Sequence, residues 1–417
     1  MFRRLLVAVV AAVTLATATA AAPPARPLVS VLTVEVGDSG DSILDGDVLH
    51  VLSSGPGRAQ LTSYRVSDGA VRWRAPVDAA ADSGGSSIAL HADVLVVGVS
   101  HGVPRAGEPT GHSTAYDARG GAVLWRLDGW VPGHAPGGRL LVARETPASD
   151  DLSGWSYEFE AIEPRSRVPA WSIRLPAGTA RSVAFDWLQL SGDGPARMVE
   201  WGDDGRLRSY DLATGAVVAE RQLTDWPAET QVEVAGDTVL VSAPDGFLAD
   251  LRAYGVDDLA LRWEARVRSD FPIGCGPWIC LPTDAGVRAV DPVTGVRAWE
   301  RRGLQGGFPA GPPWPPGTLA ASRMDGTGTE LLDAATGRAV ADLDVWSTVG
   351  GGDGPPFLVR SPHFAPGHQG SWLASFRPDV GKVEIVSALP DVTFCTTSGH
   401  YLACRTGQQV RVWRIHG

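Results

Sequence analysis

Asparagine is absent from the 417 residues of this chain, and lysine occurs once, at Lys382. The first absence excludes N-glycosylation and any site built on an asparagine carboxamide. The second, set against abundant arginine and alanine, is the composition of a GC-rich bacterial genome and carries no chemistry of its own. A surplus of positive charge is also missing. The formal net charge is −11 with only 20% charged residues, so nothing neutralises phosphates globally, which argues against a general nucleic-acid or anionic-membrane binder. After residue 30 there is no uninterrupted, capped helical pattern, and no segment beyond the N-terminus is apolar enough to span a membrane. The EF-hand pattern, C-x2-C spacing and adjacent cysteines are all lacking. Gly350 to Pro356 is glycine-rich but has no Lys-Ser/Thr, so it reads as a linker and not a phosphate-binding loop.

Glycine (50) and proline (31) are plentiful, and 44% of residues are hydrophobic. That is a globular balance with many turns. The chain opens Met-Phe-Arg-Arg, continues through an apolar run from Leu5 to Val13, and reaches Ala20-Ala21-Ala22 before Pro23-Pro24. A basic start, a short apolar stretch and small residues before proline predict a secretory signal peptide over residues 1–22, with an uncleaved anchor as the other reading of the same segment. No cysteine lies near the cleavage point, which argues against a lipoprotein. The mature unit is then 23–417.

Four cysteines agree with export. Cys275 and Cys280 bracket Gly-Pro, and Cys395 and Cys404 bracket Ser-Gly, each pair between apolar flanks. That spacing fits a bridge across a tight hairpin, and in an oxidising compartment two local disulfides follow. The rival reading, a four-cysteine zinc site, has neither the spacing nor the proximity in sequence.

An internal repeat organises the remainder. Its clearest copies are Ser209–Ala219, Ala289–Trp299, Leu331–Ala341 and Ala115–Trp125, with weaker ones at Ser63–Trp73, Ala253–Trp263, Ala161–Trp171 and Ser375–Ile385. Anchored on Tyr64, Tyr116, Ile162, Tyr210, Tyr254, Val290, Leu332 and Phe376, successive copies lie 52, 46, 48, 44, 36, 42 and 44 residues apart. Each copy is an apolar run, a polar turn, then alternating β-formers. The turn aspartates Asp117, Asp211, Asp291 and Asp333 can bond the backbone two residues on. Gly69, Gly121, Gly215, Gly295, Gly337 and Gly381, five residues after their anchors, supply the positive φ of a hairpin loop. Tryptophan closes five copies, at Trp73, Trp125, Trp171, Trp263 and Trp299. A second short apolar run precedes most copies, beginning near Val48, Val94, Leu140, Thr238 and Trp278. This predicts an all-β propeller of four-stranded antiparallel blades, about eight of them and between seven and nine. The lone strand Leu28–Val36 is expected to pair with the C-terminal unit, whose strands run over Gly399–Cys404 and Gln408–Ile415. The copy at Ile162 or the terminal unit is expected to be the irregular one, and Ser100–Gly111 and Ala148–Gly154 to be surface loops.

The pattern Tyr/Val-Asp-x-x-Thr-Gly-x-x-x-Trp, best seen in Val290-Asp291-Pro292-Val293-Thr294-Gly295 with Trp299, resembles the repeat of PQQ-binding-like β-propellers over nearly all of residues 28–417. The resemblance implies that the repeat tryptophans dock between neighbouring blades. That superfamily holds quinoprotein alcohol dehydrogenases, BamB-like outer-membrane assembly proteins, and sensor or scaffold propellers that bind no quinone. The enzymes hold calcium with Glu, Asn and usually Asp, use a catalytic Asp, and commonly carry a disulfide between adjacent cysteines over the quinone. This chain has no asparagine and no adjacent cysteines, and no lipobox of the BamB kind.

Other chemistry is thin. The loop histidine pairs His101/His112 and His363/His368 are candidate metal ligands at uninformative spacing, and the remaining histidines, His50, His91, His134, His400 and His416, are scattered. The acidic doublets at Asp150, Asp203 and Asp257 read as turns. Gly98-Val-Ser100-His-Gly102 matches the string of a hydrolase nucleophile elbow, but Pro104 and Gly107 forbid the helix that the elbow needs. Gly311-Pro-Pro-Trp314-Pro-Pro is either a polyproline docking segment or a rigid interblade loop. The sequence thus leads to an extracytoplasmic, monomeric propeller that binds an envelope or extracellular partner. It would touch the membrane only through its N-terminal segment, bind no nucleic acid, and have no cofactor and no assignable catalytic residue. The alternative is a divergent quinoprotein oxidoreductase using PQQ and calcium.

Overall fold

Each repeat copy folds for the reason its pattern suggests. In the strands Val71–Val77 and Pro169–Leu175 the side chains alternate between exposed and buried, with Trp73, Ala75 and Val77 or Trp171, Ile173 and Leu175 inward. These are outermost strands, with one face against a neighbouring sheet and the other in water. The second strands, such as Val94–His101 and Thr238–Asp245, are instead buried along continuous runs, because they are packed on both faces.

The computed structural model describes residues 28–415 apart from 39, 56–57, 79–82, 102–104, 150–153, 179, 186–196, 225, 228–229, 269–271, 311–313, 350–356, 361–369 and 378–381. The signal-peptide segment, Gly381, His363, His368, His416 and the glycine-rich 350–356 therefore lie outside the described residues.

The described residues contain no helix and form nine four-stranded antiparallel sheets, arranged as the blades of a β-propeller ring. In chain order the blades span residues 41–77, 83–128, 130–175, 180–222, 231–268, 273–302, 304–344, 347–389 and 393–414, the last completed by the strand Val29–Glu35. In the first eight blades the four strands follow sequence order from one edge of the sheet to the other. The repeat turn joins the third strand to the fourth.

Nine blades stand at the top of the expected range and exceed the favoured eight. The ninth is the split C-terminal unit, which has no repeat turn of its own and so escapes a count of copies. Its fourth strand is Val29–Glu35, which pairs antiparallel with Gln409–Arg414 from Val29 opposite Arg414 to Glu35 opposite Gln409. The copy at Ile162 is a full four-stranded blade, and so is the terminal unit. The shortest described strand is instead Ser347–Thr348, in the eighth blade.

The core is divided among blade interfaces. Nine apolar clusters are each shared by two consecutive blades. The cluster of Val36, Leu44, Leu49, Val51 and Val66 with Ala403, Val410 and Val412 lies between the ninth blade and the first. Burial of this kind is the main favourable term in folding, and here it lies between sheets that no single repeat completes alone.

Candidate ligand-binding cleft

The repeat residues meet across blade boundaries. The indole N–H of Trp73 donates to the carbonyl of Ala118 at 3.1 Å, Trp125 to Pro164 at 2.6 Å, Trp171 to Leu212 at 2.9 Å, Trp263 to Pro292 at 3.0 Å and Trp299 to Ala334 at 2.9 Å. In every case the acceptor is two residues past the anchor of the next blade. For four of the five, the residue three further on is a glycine against the ring, while beyond Pro164 that position is Arg167 (φ 59°). A Cβ at Gly121 would come 2.5 Å from Trp73, and one at Gly337 equally close to Trp299. Gly215 and Gly295 face Trp171 and Trp263 in the same way, all four with φ between +66° and +74°. Gly69 faces Leu32 of the N-terminal strand. Where the tryptophan is replaced by Ala219, the left-handed position of the next blade carries the larger Leu259 (φ 51°), which fills the space in the same cluster.

The aspartates hold the turns. Asp117 accepts from the amides of Arg119 and Gly120, Asp211 from Ala213 and Thr214, Asp291 from Val293 and Thr294, and Asp333 from Thr336. The carboxyl of Asp117 is held below its ordinary range chiefly by Arg165, that of Asp291 by the Thr294 amide, and that of Asp333 by the Thr336 hydroxyl. Arg165 bridges Asp93 and Asp117 from the next blade, and Arg197 bridges Asp211 and Asp257. The polar groups at this end of the ring are therefore engaged with one another. Both disulfides are present, Cys275–Cys280 and Cys395–Cys404, each tying the first strand of a blade to its second.

The other candidates resolve as follows. Among the described residues no group of three or more His, Cys, Asp or Glu is placed to hold a metal ion. The His101 and His112 rings approach edge-on at 5.6 Å, with His112 bonded to the carbonyl of Asp78. Ser100 lies in a strand and its hydroxyl donates to the Gly85 carbonyl, which is not the geometry of a nucleophile elbow. Trp314 is buried 5.2 Å from the Phe376 ring in the interface of the seventh and eighth blades, so it is core and not a docking residue. His91 and His134, on adjacent blades, are 2.9 Å apart and edge to face.

At the end of the ring opposite the repeat turns, a cleft of about 560 Å3 opens between the second and third blades. Its second-blade wall is Gly85, Ser86 and Ser87 on the first strand, Gly98 and Ser100 with His101 on the second, and Thr110 and Gly111 where the third begins. Trp130 and Trp155, at the starts of the first and third strands of the third blade, line it too. Thr110 donates its amide to the Glu145 carbonyl, and Gly107 its own to Pro147, which ties the loop after His101 to the third blade. Glu145 also accepts a hydrogen bond from Trp130; burial raises its carboxyl above the usual range and that bond partly offsets the rise.

Sequence reasoning did not single out Trp130, Trp155, Ser86, Ser87 or Glu145. The available signal was that neither tryptophan falls at the repeat position nine residues after an anchor.

A second groove, also about 560 Å3, runs between the fifth and sixth blades past Arg266, Arg288 and Arg297. Three of its arginines are engaged in ion pairs, Arg266 with Asp245 and both Arg288 and Arg297 with Glu300.

No family model matches the chain, and no curated protein matches it. Solved structures are similar at low identity. BamB from Moraxella catarrhalis is 16% identical with a TM-score of 0.44, over 93% of this chain and 100% of that one. A europium-containing methanol dehydrogenase is 14% identical with a TM-score of 0.39, over 77% of this chain and 72% of that one. The C-terminal WD40 domain of Sif2 is 11% identical with a TM-score of 0.43, over 95% and 100%. These are likenesses of overall shape and assign no role to a residue here.

Proposed function

We propose that this chain is an extracytoplasmic, non-catalytic propeller that binds a ligand or an envelope partner on the face opposite its repeat turns. One observation carries the reading: the cleft and the two most exposed large apolar side chains, Phe247 and Phe394, lie at that end. Phe247, 93% exposed, lies in the turn between the second and third strands of the fifth blade, and Phe394, 89% exposed, is the second residue of the first strand of the ninth. Met324 occupies the corresponding turn of the seventh blade. The exposed apolar side chains of the repeat-turn end are smaller, Val168, Val293 and Val296 among them, and the carboxylates there are engaged with their own turns and in ion pairs. The two disulfides support an oxidising compartment. The pairing of Val29–Glu35 with the ninth blade, together with the apolar cluster beneath it, supports the N-terminal strand as the element that holds the ring shut.

The test is a titration of PQQ with Ca²⁺ into the protein, following melting temperature and quinone absorbance, with a dye-linked alcohol or sugar oxidation assay beside it. The expected result is no saturable binding and no turnover. Saturable binding with turnover overturns the reading in favour of a divergent quinoprotein oxidoreductase.

A further inference from the structure

We propose that the cleft between the second and third blades is a binding site for a neutral pyranose sugar, an inference that rests on the binding-module reading above. The cleft's volume, about 560 Å3, is within the range that ligand pockets occupy. Its chemistry narrows the occupant. Among its described lining residues only His101 can carry a charge, and no Arg, Lys, Asp or Glu is among them. An anionic or cationic ligand would be stripped of water there without a counter-ion, which is costly. The walls supply two contrasting surfaces, tryptophan rings from the third blade and hydroxyls with backbone groups from the second. An uncharged pyranose matches both. Its C–H face is apolar and complements the negative face of an indole, while its hydroxyls need donors and acceptors at the edge.

Gly98 shows how the second blade's wall is kept open. It lies mid-strand in regular register, opposite Ser87 and Ser113, and has no positive φ, so the backbone does not require glycine. A Cβ there would stand 3.1 Å from the Ser87 hydroxyl and project into the row of serines. Glycine within a strand marks a place where something approaches closely. On the facing side the Glu145 carboxylate accepts from Trp130 and so holds that indole in place. Glu145 is thus a positioning residue.

The experiment is calorimetry and tryptophan fluorescence on the full chain with D-glucose, D-galactose, D-mannose and their neutral disaccharides, with D-galacturonate as the charged counterpart. A glycan array separates a free sugar from the terminal unit of a surface glycan, since both present the same ring. Expected are saturable binding of at least one neutral sugar or glycan and weaker binding of galacturonate. Trp155→Ala, at a half-exposed position, weakens binding on the order of ten-fold or more with melting temperature unchanged. Gly98→Val abolishes binding. Absence of saturation by every neutral sugar at about 50 mM and on the array, or equal affinity in the Trp155→Ala protein, overturns the sugar assignment. The PQQ titration separately tests the binding-module reading, so the two failures are told apart.

Discussion

His50 and His91 are removed from water without a carboxylate to compensate. Burial, with Arg72 beside the first and His134 beside the second, brings both to a pKa of about 4. Each binds a proton more readily in the unfolded chain, so between about pH 6.5 and 4 unfolding takes up protons and stability falls as pH falls. Their full contribution is present above pH 6.5, up to about 3 kcal/mol each. Glu233, on the first strand of the fifth blade, has the opposite sign. Burial lifts its carboxyl to about 7, so its contribution is complete below the ordinary carboxylate range and is lost as pH rises through 7. Urea denaturation across pH 4 to 8 therefore shows a rising limb at the acid side, which His91→Gln makes shallower. Glu233→Gln raises stability at pH 8 relative to pH 5 when measured the same way. Below about pH 4 the turn carboxylates Asp117, Asp291 and Asp333, held low in the folded state, lose their hydrogen-bonded charge and add to acid unfolding.

The unit of order between blades is the tryptophan with the left-handed residue that lies on it. Gly121→Val places a branched side chain both at φ +74° and in the volume of the Trp73 ring. Strain and overpacking together cost about 2–4 kcal/mol, read as a lowered urea midpoint. Trp299→Phe keeps a ring but leaves the Ala334 carbonyl without its donor, a loss of about 1 kcal/mol or somewhat more. The disulfides close short loops, with sequence separations of 5 and 9. Removing either one by paired serine substitution lowers stability by about 2–3 kcal/mol in the chain-entropy account, and reductant reproduces the effect in the native protein.

At the scale of the molecule, one blade is assembled from the two most distant segments of the described chain. Deleting residues up to Glu35 uncovers the edge of Gln409–Arg414 and one side of the cluster around Val412, and both consequences are measurable. The melt becomes broad and occurs at lower temperature, and light scattering detects self-association through the free edge. A sharp, unshifted melt of a monomer would show that the remaining interfaces hold the ring without this strand. The all-β class, the four-stranded unit and its period were legible in the sequence because every repeat solves the same local problem. A hairpin needs a left-handed residue and an Asp that caps its own turn, and these recur at Gly121, Gly215, Gly295 and Gly337 whatever lies next to them. The ninth blade was not countable that way, since three of its strands carry no repeat turn and the fourth lies at the opposite end of the chain. Hairpin disulfides were readable from five- and nine-residue separations for the same local reason. The cleft was not readable. Ser87, Gly98, Thr110, Trp130 and Trp155 belong to five separate segments in two blades, and no periodicity links them. Sequence by itself determined what each repeat must become, because turn chemistry and alternation act within a few residues. Only the tertiary structure decided which of those residues face one another, because that depends on how neighbouring sheets pack around the ring.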